Sequence, residues 1–337
     1  MEFSTHIKSD EVEIERRIRE FLLGSDPIVI RYLDAITGNT GKRLRPKLVM
    51  VFARLFGEYD YGKSITCACA AELLHTATLI HDDVIDTAQF RRGSETLCNA
   101  FGNEIAVIVG DYLLAIVLDR VAKVRDFEVL DMFVGTSKKL GVGVLVEVNN
   151  RNNFKLAVDN YLSVIELKTA VLFEHCTRLG AYLGGADAEG RRLAGEYGRD
   201  FGMAFQIVDD LLDIAADPKK TGKPSFNDLK EGRITLPLIH AIGKDPSIET
   251  LMNGWQERPS AESADALKAR LRELGSMDYS RKKAEEYLAK AREKSAMLVP
   301  RWQSESARSD LEVIESGLFA LLEEAGQNNT EMPQNPG

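Results

Sequence analysis

Two copies of Asp-Asp-x-x-Asp, each closing an apolar run of helical spacing, constrain this chain more than any other feature. The first is Asp82, Asp83 and Asp86 in AELLHTATLIHDDVID, and the second is Asp209, Asp210 and Asp213 in FGMAFQIVDDLLD. Residues i and i+4 of an α-helix share a face, which stacks Asp82 over Asp86 and Asp209 over Asp213. Carboxylates crowded on one face repel each other unless a cation lies between them. Hard oxygen donors of this kind suit Mg²⁺, which keeps several waters and is completed by substrate phosphates. Two such clusters facing each other across a cavity would grip one diphosphate through bridging metal ions. The bland alternative is a pair of solvated acidic helix ends, and the identical spacing within two apolar helices argues against it.

The rest of the chain reads as helix. Hairpin signals are scarce, and no Pro/Ser/Gly-rich linker or low-complexity block marks a seam in the 337 residues. The reading is one large all-α domain over residues 1–325, followed by a polar tail, 326–337, that is expected to be disordered. Ser9 or Asp10 is expected to cap a first helix ending near Gly24. Asp26-Pro27 opens a second, closing at Gly38, and Pro46 starts a third that runs to Gly57. The helix with the first acidic cluster is expected from about Ser64 to Asp86. Others follow from about Asn103, Asp126, Val158 and Asp187, the last leading to the second cluster. A loop, DPKKTGKPSFND, comes next, and helical spacing returns from about 260 to 325.

A net charge of −9 argues against a nucleic-acid surface, so an anionic ligand must be met by local cations or by metal ions. The N-terminal MEFSTHIKSDEVEIERR has no apolar signal region. The longest apolar stretch, from Ile105, contains Asp111 and is too short for a bilayer. Cys67, Cys69, Cys98 and Cys176 form no CxxC pair and suit the core of a protein in a reducing cytoplasm. The cations that matter are clustered. Gly41-Lys42-Arg43-Leu44-Arg45-Pro46 precedes a helix N-terminus, which itself favours anions. Arg91-Arg92-Gly93 follows the first acidic cluster, Lys168-Thr169 offers a cation and a hydroxyl within a helix, and Lys219, Lys220 and Lys223 lie in the loop after the second cluster. His75, seven residues before Asp82, falls on nearly the same helical face, and Gln206, three before Asp209, shares its face.

These blocks resemble the trans-isoprenyl diphosphate synthase, or polyprenyl synthetase, family. GKRLRP, ELLHTATLIHDDVID with RRG, GNEIAVIVGDYLLA, KTA, FQIVDDLLD and GKPSFNDLKEGRITLPL follow that family's order over about residues 40 to 240. The resemblance implies a helical bundle around a central cavity, the isoprenoid synthase fold, and a homodimer. It also implies condensation of an allylic diphosphate, geranyl or farnesyl, with isopentenyl diphosphate. Asp82, Asp83, Asp86, Asp209, Asp210 and Asp213 would hold Mg²⁺ on the allylic diphosphate, with Arg91, Lys168, Thr169, Gln206 and Lys223 completing that pocket. Lys42, Arg45, His75 and Arg92 would bind isopentenyl diphosphate. The chemistry suits the residues: ionising the allylic C–O bond needs fixed positive charge on the leaving diphosphate, and the carbocation needs apolar walls that exclude water.

One segment departs from the family pattern. Where Gly-Glu-x-x-Gln is common, this chain reads Gly143-Val144-Leu145-Val146-Glu147. Product length is expected to follow from small residues below the first cluster. At a rise of about 1.5 Å per residue, Thr78 and Ala77 lie roughly 6–7.5 Å beneath Asp82, about one prenyl unit down a tunnel continuing towards Leu74. Met132 or Phe133 would form its floor. In short-chain members of the family this level is commonly filled by aromatic side chains, so with the resemblance the open walls imply an all-trans product of about six to ten units (C30–C50), of the kind attached to quinones, with at most peripheral membrane contact for its release. The alternatives are a farnesyl or geranylgeranyl synthase and a silent subunit of a heteromeric synthase. A terpene cyclase fits the second acidic motif poorly, a head-to-head synthase would lack RRG, and a di-iron bundle needs two Glu-x-x-His motifs where only Glu72 to His75 is present.

Overall fold

The computed structural model describes residues 2–24, 26–37, 41–91, 93–215 and 225–327. The fold is all-α, as expected. Its helices are α1 (Thr5–Leu23), α2 (Pro27–Thr37), α3 (Leu44–Leu55), α4 (Tyr61–Ile85), α5 (Leu97–Phe101), α6 (Asn103–Lys123), α7 (Phe127–Asn149), α8 (Val158–Ile165), α9 (Val171–Leu183), α10 (Ala188–Ala215), α11 (Asn227–Lys230), α12 (Leu236–Lys244), α13 (Ile248–Glu257), α14 (Ala261–Glu273), α15 (Ser276–Leu298) and α16 (Glu305–Gln327). Between α8 and α9 the chain passes through a π turn, Glu166–Ala170. The strands among the described residues are β1 (Phe90–Arg91) and β2 (Ser94–Glu95), an antiparallel pair. Helix α16 continues through Gln327, two residues past the position expected from the spacing. Residues 328–337 lie outside the described residues.

The chain divides into two compact units, and each is assembled from separate stretches of sequence. Unit one comprises Met1–Lys138, Leu172–Gly198 and Lys294–Val313. Helix α4 lies at its centre, against α6, α3 and α1. Its apolar side chains recur all round the helix, so that Ile65, Ala68, Ala71, Leu74 and Ala77 are all fully buried. Asp60 caps α4 by accepting from Lys63 N at 2.9 Å. Helix α1 begins earlier than its sequence suggests because Ser4 is the cap. Ser4 also donates through its backbone N–H and hydroxyl to Asp310, both at 2.7 Å. Asp10, one of the expected caps, is instead buried in an ion pair with Arg54 at 2.5 Å. Helix α3 starts at Leu44 rather than Pro46, after Arg43 turns the backbone with φ of 48°. A Cβ on Gly180 of α9 would stand 2.4 Å from the Val49 carbonyl oxygen, so glycine sets how closely α9 approaches α3. The four cysteines are buried and unbridged, and burial pushes the Cys67, Cys69 and Cys176 thiols up to about 12.

His175 on α9 is wholly internal. Its Nδ1 lies 3.1 Å from Thr136 Oγ1 and its ring stands edge-on to Phe133, 4.4 Å between centroids. Burial holds its pKa down at about 3. A base depressed on folding binds its proton only in the unfolded chain, so its contribution to stability is lost as pH falls below the ordinary value of 6.5 towards 3. Between pH 7 and pH 5 the native protein should therefore lose about 2 kcal/mol more stability than a His175→Gln variant, measured by urea unfolding. Parallel losses in both would show that the imidazole is protonated inside the fold.

Unit two comprises Lys139–Val171, Arg199–Glu293 and Ile314–Gly337. Phe201, Leu211, Phe226, Leu229, Trp255 and Leu267 are buried in it. The Phe226 and Trp255 rings lie 5.5 Å apart. The mostly apolar α8 leads into the π turn, whose register rotates Lys168 and Thr169 relative to an uninterrupted helix.

Candidate functional site

Unit one carries the first acidic cluster, where the three carboxylates of the motif have different surroundings. Asp83 is buried and accepts from Arg91 Nε at 2.7 Å, while Asp82 and Asp86 are half-buried. Arg91 reaches Asp83 because the β1–β2 hairpin follows α4 directly and turns the chain back on the helix end. Burial pushes the Asp83 carboxyl up, and Asp86 adds to the rise against the opposing pull of Arg91. The stacking of Asp82 over Asp86 thus leaves the more open carboxylates on one face and gives the arginine to the residue between them.

The loop before α3 sorts its cations by partner. Arg43, despite its left-handed backbone, inserts between Glu15 at 2.6 Å and Glu72 at 2.7 Å. Arg45 Nη1 donates to His75 Nε2 at 3.0 Å, and its guanidinium lies over the Phe173 ring, 4.7 Å from the centroid. Lys42 is exposed. His75 and Arg45, both expected to meet isopentenyl diphosphate, are thus in direct contact. Glu72 and His75 each face an arginine, which removes the one Glu-x-x-His candidate for a di-iron site.

Unit two carries the second cluster. Gln206, expected on the face of Asp209, hydrogen-bonds to Asp210 one turn on: its Nε2 donates to Asp210 Oδ1 at 2.8 Å. Its Oε1 accepts from Thr169 Oγ1 at 2.7 Å, so Thr169, Gln206 and Asp210 form one continuous chain of hydrogen bonds. Tyr161 of α8, not singled out from sequence, donates its hydroxyl to Asp210 Oδ2 at 2.6 Å. Asp213 accepts from Asn227 N and Nδ2, both at 3.1 Å, and from Asp228 N at 3.2 Å. Asp209 is exposed. Lys168, expected within a helix, sits in the π turn and pairs with Glu147 at 2.6 Å. The residues the sequence reading missed, Tyr161, Asn227 and Asp228, carry only a weak signal. The last two stand in the FND block quoted above, and Tyr161 looks like one more aromatic on an apolar helix.

Burial shifts the carboxyls of this second cluster, and Asp228, itself hydrogen-bonded to Arg233 at 2.7 Å, adds to the shift. Burial, Asp228 and Asp209 together push Asp210 well above the ordinary carboxylate range. Burial and then Asp228 raise Asp213 to about 7. A bound cation would relieve both. Among the described residues, no three His, Cys, Asp or Glu side chains gather closely enough to cage a metal ion unaided. The donor set is all carboxylate, which suits a hard cation whose remaining ligands are water and phosphate oxygens, and is wrong for a softer, fully enclosed metal.

Ala77 and Leu74 are fully buried on α4, whereas Thr78 is half-buried and its hydroxyl donates to the His75 carbonyl oxygen at 2.7 Å. Phe133 is fully buried against His175, and Met132 is half-buried. Arg92, Lys219, Lys220 and Lys223 lie outside the described residues. No helix among the described residues is long and apolar enough to cross a membrane.

Comparison with known proteins gives a consistent picture. Residues 26–274 match the polyprenyl synthetase family. The chain is 34% identical over 272 residues to octaprenyl diphosphate synthase of Escherichia coli, covering 80% of this chain and 84% of that one. It is 30% identical over 300 residues to heptaprenyl diphosphate synthase component 2 of Bacillus subtilis, covering 89% and 85%. Among solved structures, a decaprenyl diphosphate synthase from Rhodobacter capsulatus superposes with a TM-score of 0.84 at 28% identity, over 95% of this chain and 97% of that one. A polyprenyl synthase from Caulobacter crescentus, complexed with calcium and isoprenyl diphosphate, superposes with a TM-score of 0.84 at 29% identity, over 94% and 95%.

Proposed function

The chain belongs to the polyprenyl synthetase family and is a trans-prenyltransferase, and from that premise we propose that it adds successive isopentenyl diphosphates to a geranyl or farnesyl diphosphate starter, making an all-trans product of about six to ten units. The observation that carries this reading is the pair of buried carboxyls Asp210 and Asp213 on α10, the first tied through Gln206 to Thr169 beside Lys168 and the second held by Asn227 and Asp228 N. Buried carboxyls raised by burial and by neighbouring acids mark a site where a cation would stabilise the charged form. Asp82, Asp83, Asp86, Asp209, Asp210 and Asp213 would hold Mg²⁺, which when bound supplies Lewis-acid charge to the leaving diphosphate. The chain's own residues do the rest. Lys168, Thr169, Gln206 and Arg91 orient the allylic diphosphate so that the C–O bond breaks towards fixed positive charge. Lys42, Arg45 and His75 hold the second diphosphate, and the apolar side chains of α4 exclude water from the carbocation.

The long product is supported by the octaprenyl and decaprenyl activities named for the relatives. We further read the protein as a cytoplasmic homodimer that feeds a quinone side chain and touches membrane only peripherally. Exposed Ile108 on α6 and Leu145 on α7, 63% and 65% accessible, are apolar surface of the kind a second copy would cover. A second reading, as one component of a heteromeric synthase, is favoured by the name of the Bacillus subtilis relative.

Incubating the purified chain with Mg²⁺, labelled isopentenyl diphosphate and each starter, then sizing the products, tests both readings. Long products from the chain alone support the first; turnover only with an added partner component supports the second; no elongation under either condition defeats both. In the same assay Arg45→Ala should raise the KM for isopentenyl diphosphate by about tenfold, the size of one lost charge-assisted contact, and leave the starter KM near its native value. Equal rises in both would remove Arg45 from the isopentenyl site.

A further inference from the structure

The segment in which this chain departs from its family's pattern packs against the π turn that bears Lys168. A Cβ on Gly143 would lie 2.7 Å from both the Leu167 carbonyl carbon and the Lys168 nitrogen, so only glycine lets α7 and the turn come this close. One helical turn on, Glu147 Oε1 accepts from Lys168 Nζ at 2.6 Å, with the two side chains 12% and 20% exposed. The next residue of the turn, Thr169, is held through Gln206 to Asp210. Lys168 therefore pairs with a carboxylate supplied by α7, and the residue after it begins the hydrogen-bonded chain that ends at the second acidic cluster.

We propose that Glu147 is a positioning residue that competes with diphosphate for Lys168. It holds the ammonium while the site is empty and weakens the grip on diphosphate once the site fills. The inference rests on the reading of Lys168 as a diphosphate ligand. A lysine ammonium is a compact point charge with three donors, able to face two anions at once. Glu147 is mostly buried and anchored one turn from the Gly143 contact, so it stays in place when the second anion arrives. Its charge then opposes that anion in surroundings where screening by water is weak. A glutamine at this position would keep the hydrogen-bonding shape without the charge. The competition has a use in repeated condensation, since each round leaves inorganic pyrophosphate that must depart before the lengthened chain can be bound again.

The test is calorimetric titration of inorganic pyrophosphate with Mg²⁺ into the full-length protein, alongside the KM for farnesyl diphosphate. Glu147→Gln should tighten pyrophosphate binding and lower the KM, each by about tenfold, which is about 1.4 kcal/mol. Glu147→Asp, which keeps the charge, should bind pyrophosphate as the native protein does. The tightening should shrink in a Lys168→Ala background, because the two residues act on one another. A carboxylate that merely supported the fold would do the reverse, its loss weakening binding and lowering the melting temperature. Weaker or unchanged binding in Glu147→Gln overturns the proposal, as does equal tightening with Lys168 absent. If Lys168→Ala alone leaves the pyrophosphate affinity and the KM unchanged, Lys168 is not a diphosphate ligand and the inference falls with that reading.

Discussion

Replacing Asp209 with Ala is expected to lower turnover by about 10³-fold, roughly 4 kcal/mol of transition-state stabilisation, while helical content stays near the native level. Asp209 is exposed near the end of α10 beside the buried Asp210, so its loss changes what the cluster can bind more than what the helix buries. A collapse of helical content would instead mark a residue retained for the fold. Asp82→Ala should cost a similar factor in turnover, since Asp82 is one of the two more open carboxylates of its cluster. Asp83 differs, because its loss leaves the Arg91 guanidinium without the buried carboxylate it pairs with, so Asp83→Ala should lower both activity and stability. Excess Mg²⁺ should partly restore Asp209→Ala if the defect is metal affinity. Near-native turnover in either Asp82→Ala or Asp209→Ala would defeat the metal-clamp reading.

Asp213 gives the same site a pH dependence. With its pKa at about 7 in the metal-free protein, proton and cation compete for it near neutrality. A carboxylate raised on folding withholds stability as pH climbs from its ordinary value of 3.8 through 7, and a bound cation returns that stability. Metal-dependent stabilisation should therefore be small at pH 6 and larger at pH 8.

Much of the site could be read from sequence because its residues lie at helical intervals on long apolar helices. Asp82 to Asp86, and Asp209 to Asp213, are each one turn apart, so periodicity alone places them on common faces. What stayed hidden depends on tertiary contact. The three cations of Lys42-Arg43-Leu44-Arg45 look alike in sequence, yet Arg43 is taken by Glu15 and Glu72 from two other helices. The π turn at Glu166–Ala170 looks like ordinary helix in sequence, since its i+5 register is set by what packs on it, including the glycine at position 143. Nothing local in the sequence marks Ser4 as the α1 cap, because the residue that fixes it, Asp310, is far away in the chain. The missing seam has a physical cause too: each unit is assembled from separate stretches, so no one boundary in the chain corresponds to a division in space.

A phenylalanine at position 78 should shorten the product by several prenyl units, to roughly three, without abolishing condensation, because Thr78 lies only about 6 Å along α4 from Asp82. The structure distinguishes this position from its neighbour. Thr78 is half-buried, with its hydroxyl turned back to the His75 carbonyl oxygen, so a ring there displaces less packed core. Ala77 is fully buried, and a ring forced into that packing should cost about 1–3 kcal/mol of stability as well as changing the product. Thr78→Phe is therefore the cleaner probe, and Ala77→Phe should yield a less stable enzyme. Leu74, two turns below Asp82 on the same face, is fully buried, so Leu74→Ala should lengthen the product only if the tunnel reaches that depth. The order of product lengths, Thr78→Phe shortest, native intermediate and Leu74→Ala equal or longer, tests α4 as the measuring wall. A native enzyme that already stops at three units would show that another helix closes the tunnel above Thr78, and the open-wall argument would fail.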